Sequence, residues 1–166
     1  MTFAIGEGFA GDGVNAAHVN TVLGDKSGPV GAAWATALAT PRAGHAAFVV
    51  VAAPNVPVKP MTLFVNKATV ESANERHGRL TWGAAQAGVA AGVTSAHRKG
   101  VLRADDADEL VLVAAVWVNP DAHDEEAVYA NNAQATLAAL TAGRDDLPSI
   151  RTVLDVGEPR NPYFRV

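Results

Sequence analysis

The sequence predicts an α/β fold in which a single sheet is covered by helices. Val-rich apolar runs of strand length alternate along the chain with stretches of small and apolar residues at helical spacing, and glycine or proline separates them. The predicted order is ββα, ββα, βα, which is typical of a two-layer α/β domain. No repeat or linker divides the chain, so residues 1–166 are predicted to form one domain with an irregular tail over 144–166.

The first predicted unit is a strand hairpin followed by a helix. Residues 2–9 and 15–23 alternate between apolar and small or polar positions, and the glycine-rich turn at 11–13 separates them. The next run is rich in small apolar residues and begins at Pro29, which suits the opening turn of a helix. Pro41 follows this run and predicts where the helix ends.

Two further units complete the predicted fold. Residues 45–53 and 62–70 are apolar enough for strands, and a loop with two prolines lies between them. Small residues at helical spacing predict a helix over 83–100, whose last turn is cationic. A buried strand over 109–118 and a final helix over 125–142 follow.

Composition excludes several classes of function. The chain has no cysteine, which rules out disulfides, a thiol nucleophile and cysteine-bound metals. A formal net charge of -4 with no Lys/Arg cluster argues against a nucleic-acid partner. No apolar run reaches the roughly 20 residues of a membrane span, and the N-terminus does not resemble a signal peptide, so we expect a cytoplasmic protein. The histidines lack metal-ligand spacing, and no metal is expected.

Two pairs of polar residues interrupt otherwise apolar predicted strands. His18 and Asn20 are two residues apart, as are Lys67 and Thr69, so each pair lies on one face of its strand. A cleft that binds a polar small molecule would explain both pairs, and a solvent-facing sheet edge is the alternative. Because histidine titrates near neutrality, His18 is the candidate for proton transfer.

Four long segments of the chain resemble one known family. They are GEGFAGDGVNAAHVN, VVVAAPNVPVKPMTLFVNKATV, GAAQAGVAAGV and ADDADELVLVAAVWV. Together they resemble the formaldehyde-activating enzymes, the tetrahydromethanopterin hydro-lyases, collinearly from about residue 5 to residue 143. The resemblance implies a fold like that of ribosomal protein S5 domain 2, with a left-handed βαβ crossover. It also implies a homopentamer with active sites between neighbouring subunits.

The resemblance further implies a reaction and a set of residues. Members of the family condense formaldehyde with tetrahydromethanopterin, release water and form the methylene-bridged pterin, without a metal. His18 matches the family's catalytic proton donor. The positions that match pterin contacts are Val49, Lys67, Thr69 and Gln86.

The chain departs from the family pattern at one position of the predicted site. Asn20 stands where the family has aspartate, so a neutral amide that donates and accepts hydrogen bonds replaces an anionic acceptor. Asn20 is still able to bind the pterin. The resemblance implies tetrahydromethanopterin or another reduced pterin as the co-substrate. Action on a different amine and non-catalytic binding of a pterin or aldehyde are the alternatives.

Overall fold

A computed structural model of the chain describes residues 3–40, 45–67 and 75–161, with the backbone alone at Lys67. In chain order the strands are β1 (Phe3–Ala10), β2 (Ala17–Asp25), β3 (His45–Val49), β4 (Val51–Ala53), β5 (Val56–Pro57), β6 (Met61–Lys67) and β7 (Leu110–Trp117). The helices are α1 (Pro29–Ala39), α2 (Glu75–Arg79), α3 (Gln86–Arg98), α4 (Glu125–Arg144) and α5 (Ile150–Asp155). A π-helical segment, Leu80–Ala85, joins α2 to α3. Across these described ranges, no helix is both long and apolar enough to cross a bilayer.

Five strands form the main sheet in the order β1-β2-β7-β6-β3. Neighbours are antiparallel except β6 and β7, which are parallel. Strands β4 and β5 pair separately. The five-stranded main sheet with its helices confirms the predicted two-layer α/β class, and the small β4–β5 sheet is an addition to the predicted single sheet. The parallel pair is the place where the βαβ crossover occurs, through α2 and α3, and its left-handedness stays a prediction.

One face of the sheet, here called the covered face, packs against α3 and α4. Its core includes Val19, Phe64 and Leu112 from the strands, which are fully buried among helix residues. Strand β1 approaches α4 so closely that a Cβ at Gly6 would lie 1.8 Å from the backbone oxygen of Ala139. Only glycine fits at this contact.

The opposite face, here called the open face, is covered at one end only. A Cβ at Gly24 would lie 2.6 Å from a methyl of Val30, so α1 crosses the sheet at this end of β2. Toward the other end, the open face carries the partly exposed His18 and the exposed Asn20. The helices therefore leave the His18 end of this face accessible.

The structure differs from the sequence prediction in three local features. The predicted strand 45–53 is interrupted at Val50 and forms two strands, β3 and β4. The N–H of Val50 still donates to β6, but its C=O accepts a hydrogen bond from the N–H of Val58, and the chain leaves the main sheet there. Helical structure begins at Glu75, before the predicted helix 83–100. The tail that was expected to be irregular contains α5, because the Ser149 hydroxyl accepts a hydrogen bond from Thr152 N–H at 3.2 Å and caps this short helix.

Candidate active site on the open face

Strand β2 presents His18 and Asn20 on the same face of the sheet, as their spacing predicts. Burial alternates along the strand: Ala17, Val19 and Thr21 are buried on the covered face, while His18 is half-buried and Asn20 is exposed. The alternative of a solvent-facing sheet edge is wrong about the edge, because β2 lies between β1 and β7, although both side chains are open to solvent. They lie on the surface of an interior strand.

His18 is surrounded by side chains from both neighbouring strands. Its Nε2 lies 2.9 Å from Oε1 of Glu7 on β1, and both side chains are partly exposed. The ring of Phe9, its partner on β1, lies tilted at a centroid distance of 6.3 Å. On the other side, Trp117 of β7 is its partner in the register. The imidazole is thus held by one acid and flanked by two aromatic residues.

Beside His18, a row of small and polar residues crosses the sheet. The backbone register aligns Glu7, Asn20, Ala115, Val65 and Ala47 from β1 to β3. The alanine in the middle of this row is exposed. Because small side chains stand between the amide and the far edge of the sheet, the row forms a shallow floor next to the imidazole.

A groove of about 490 Å³ adjoins this floor between α1 and the strands β3 and β6. Its walls are mostly apolar, and its polar side chains are Thr36 of α1, Thr40 directly after α1 and His45 of β3. The lining residues are Ala32, Ala33, Thr36, Ala37, Thr40, His45, Ala47 and Val65. The groove shares Ala47 and Val65 with the floor, and the floor and the groove together are here called the recess.

The other predicted site residues of the sheet are Val49, Lys67 and Thr69. Val49 and Lys67 belong to β3 and β6, on the other side of β7 from β2. Val49 ends β3 and pairs with Leu63 of β6, and it is half-buried. Lys67 ends β6, where its backbone pairs with His45. Thr69 lies outside the described residues. Asn66, the residue before Lys67, pairs with Val116 of β7. The next residue of β7, Trp117, pairs with His18, so the end of β6 lies level with His18 on the sheet.

Gln86 lies in the helical layer, on the opposite side of the sheet from His18. It begins α3, is half-buried, and accepts a hydrogen bond at Oε1 from the backbone N–H of Val51 at 2.7 Å. It also lines a second depression of about 600 Å³ together with β4 and α3. Within one chain, the structure does not bring Gln86 to His18.

The recess around His18 can bind and protonate a polar small molecule. It offers an imidazole for proton transfer, an amide for hydrogen bonding, a carboxylate and a floor of small residues. In the described part of the chain, no three His, Asp or Glu side chains are grouped closely enough to hold a metal ion.

Sequence reasoning missed Glu7 as a member of this site. A signal for it exists: the glycine-rich turn fixes a hairpin register in which Glu7 faces Asn20, and Glu7 is the one charged residue of β1. Ala115 was missed as well, because an alanine in an apolar strand carries no sign that it faces a recess.

Comparisons with known proteins place this chain in a family. A family model described as formaldehyde-activating enzyme matches residues 5–163. A 5,6,7,8-tetrahydromethanopterin hydro-lyase of Methanosarcina barkeri is 35% identical over 160 residues, which cover 96% of this chain and 89% of that protein.

Longer relatives match over part of their length. A bifunctional enzyme Fae/Hps of the same organism is 41% identical over 153 residues, 92% of this chain and 38% of that protein. A bifunctional enzyme Fae/Hps of Archaeoglobus fulgidus is 38% identical over 154 residues, 93% of this chain and 39% of that protein. The chain therefore spans less than half the length of these bifunctional relatives.

Proposed function

Because the chain belongs to the formaldehyde-activating enzyme family, we propose that it condenses formaldehyde with a reduced pterin, tetrahydromethanopterin or a close analogue, and releases water. The observation that supports this activity most directly is His18 itself. It stands on the accessible end of the open face, next to a floor of small residues. A cytoplasmic location, expected from the sequence, stays a prediction.

The proposed chemistry needs one proton donor and two positioned reactants. An amine of the pterin adds to formaldehyde and gives a hydroxymethyl adduct, whose hydroxyl leaves as water only when it is protonated. His18 is the general acid for this step. Formaldehyde also reacts with amines without a catalyst, so the protein accelerates the reaction by holding both reactants and timing the proton transfer.

The proposed pterin contacts of the sheet extend across the open face, from Asn20 beside His18 on β2 to Val49 on β3. Asn20 offers a neutral amide that both donates and accepts hydrogen bonds, which suits the mixed donor and acceptor edge of a pterin ring. Val49 supplies apolar contact at the far side of the floor. Lys67 and Thr69, which end or follow β6, are proposed as polar contacts through their match to the family.

The position of Gln86 supports the expected homo-oligomer. If Gln86 contacts the same pterin as His18, it must come from another copy of the chain, because within one chain the two residues lie on opposite sides of the sheet. We therefore propose active sites between neighbouring subunits of a homopentamer, each built from the open face of one subunit and the α3 surface of the next.

The rate of methylene-pterin formation tests the proposed activity. Formation is followed spectroscopically at fixed formaldehyde, with tetrahydromethanopterin and tetrahydrofolate compared. The wild type should accelerate the reaction with tetrahydromethanopterin, and His18→Ala should lower kcat about 10²- to 10⁴-fold, as expected for the loss of a general acid. Glu109→Gln is the control, because this exposed residue lies at the opposite end of β2 from His18. An unaccelerated reaction with both pterins contradicts the proposal.

The same preparation distinguishes the alternative function. Asn20, where the family has aspartate, favours a non-catalytic protein that binds a pterin or aldehyde as the second candidate. This candidate predicts saturable binding of tetrahydromethanopterin with no acceleration by either wild type or Asn20→Asp.

Mixing two inactive variants tests the proposed interface. His18→Ala and Gln86→Ala are purified separately, dissociated, mixed and reassembled. A shared site predicts that activity returns in the mixture, since some interfaces then combine an intact His18 with an intact Gln86. No recovery from a mixture shown to contain mixed oligomers contradicts a site built by two subunits.

A further inference from the structure

Among the residues that the structure describes, Glu7 is the acid that forms an ion pair with the proposed proton donor, and the resemblance to the family assigned it no role. Its Oε1 lies 2.9 Å from Nε2 of His18, within hydrogen-bond distance. The contact is diagonal: Glu7 is the register partner of Asn20, and Phe9 is the partner of His18. The edge strand β1 therefore delivers a carboxylate to one particular nitrogen of the imidazole.

This contact distinguishes the two ring nitrogens. A carboxylate only accepts hydrogen bonds, so Nε2 must carry a proton to bind it, whether the ring is neutral or charged. The hydrogen bond at one ring nitrogen decides the tautomer of the whole ring. In the neutral ring, Nε2 then keeps its proton and Nδ1 holds the lone pair.

The structure assigns Glu7 as the positioning residue that holds His18 in its Nε2–H form and so makes Nδ1 the nitrogen that exchanges a proton with the substrate. This inference rests on the proposed function, because it specifies which atom of His18 performs the proposed step. Glu7 touches His18 and acts through it.

The proton balance of the proposed reaction is complete with this assignment. In the charged ring, Nε2–H donates to Glu7 and Nδ1–H donates to the hydroxyl of the adduct. The C–O bond breaks with its electron pair on oxygen, which takes the Nδ1 proton and leaves as water, while the lone pair of the first amine forms a C=N bond. The second amine then attacks this carbon, the C=N electrons return to the first nitrogen, and the released N–H proton returns to Nδ1.

The surroundings of His18 favour the assignment of Nε2 to Glu7 and of Nδ1 to the substrate. The Phe9 ring lies tilted at a centroid distance of 6.3 Å, and Trp117 is the register partner of His18 on the other neighbouring strand, so aromatic residues stand on both sides of His18 in the sheet. The carboxylate also balances the positive charge of the protonated ring. Because both partners are partly exposed, the pair contributes little to stability, and its effect is expected in catalysis.

The test compares Glu7→Gln with Glu109→Gln in the full chain. Glutamine keeps the shape of glutamate but both donates and accepts, so it no longer enforces Nε2–H. Glu109 serves as the matched control. It is an exposed acid directly before Leu110, which pairs with Asp25 at the opposite end of β2 from His18. Circular dichroism verifies that both variants are folded.

Two readouts decide the assignment. Nitrogen-15 NMR of the His18 ring at about pH 9, where an ordinary imidazole is neutral, should show Nε2–H in the wild type and in Glu109→Gln, and a mixture of tautomers in Glu7→Gln. Glu7→Gln should also lower kcat about tenfold or more with KM nearly unchanged, since Glu7 no longer orients the charged ring and the neutral ring less often has the lone pair at Nδ1 that takes up the released proton.

The outcomes separate this inference from the proposed function. A Glu7→Gln variant that keeps either the wild-type tautomer or the wild-type kcat overturns the assignment, as does a wild-type ring with no preference for Nε2–H. The NMR measurement needs no substrate. If the wild type accelerates no reaction, the proposed function fails while the tautomer still shows whether Glu7 fixes the ring.

Discussion

The two faces of the main sheet differ in what their residues do. On the covered face, β1 places Gly6 and Gly8 against the backbone of α4, and a Cβ at either would lie about 2 Å from a carbonyl oxygen: 1.8 Å at Gly6 and 2.1 Å at Gly8. On the open face, the residue between them, Glu7, projects to solvent and contacts His18. Neighbouring residues of one strand thus serve packing and chemistry in alternation.

This difference indicates how the fold carries a site at small cost in stability. The covered face carries the continuous apolar core, and α1 packs on one end of the open face only. The other end of the open face is therefore free to hold polar side chains that contribute little to folding. The expected consequence is a separation of effects: changes on the covered face alter stability, and changes on the open face alter ligand binding and rate.

The largest expected effect comes from breaking the covered face at β1. Gly6→Ala should lower the free energy of unfolding by about 3 kcal/mol, because the new methyl group meets the backbone of α4 and no flexible side chain can move aside. Glu7→Ala, one residue along, should lower it by less than about 1 kcal/mol, the usual worth of an exposed ion pair. Urea unfolding measures both, and equal losses would contradict the division between the faces.

A smaller effect is expected from restoring a carboxylate to the open face. Asn20→Asp places a second acid directly opposite Glu7 in the register, and like charges at such a pair destabilise a sheet by up to about 1 kcal/mol. The loss should shrink at high salt and below about pH 4, where carboxyls become protonated. A variant as stable as the wild type at neutral pH and low salt would indicate that position 20 does not face Glu7.

The smallest effect is expected at a surface pair that belongs to neither face. The Lys59 ammonium, 2.6 Å from Asp108, lowers the pKa of that carboxyl from its ordinary value through a hydrogen bond and its charge. A lowered pKa in the folded state means that the pair stabilises the fold above the unfolded pKa of about 3.9 and loses this effect as the pH falls through the folded pKa. Asp108→Asn should therefore be slightly less stable at neutral pH and equal to the wild type near pH 2. A difference that grows toward acid would contradict this.

Local sequence signals predicted most of the fold because they depend on neighbouring residues. Alternation around the glycine-rich turn located the β1–β2 hairpin, and Pro29 marked the start of α1. The break at Val50 could not be predicted in this way, because it depends on hydrogen bonds to Thr62 and Val58, which belong to other segments.

The candidate site was predictable in part for the same reason. The spacing of His18 and Asn20 predicted their common face, since strand alternation is local. Glu7 reaches His18 through the pairing of two strands, and the separation of Gln86 from His18 depends on which side of the sheet α3 packs. Both are consequences of tertiary structure, so spacing along the chain does not reveal them.

The most direct test of the open face as the ligand site is calorimetric titration of tetrahydromethanopterin into wild type, Ala115→Phe and Ala130→Phe. Ala115 is exposed in the floor beside Asn20, whereas Ala130 is exposed on α4, so the same substitution fills the recess in one variant and only the helical surface in the other. We expect Ala115→Phe to weaken binding by about tenfold or more, with the free energy of unfolding unchanged, and Ala130→Phe to bind like the wild type. Wild-type affinity in Ala115→Phe would contradict a pterin site on the open face.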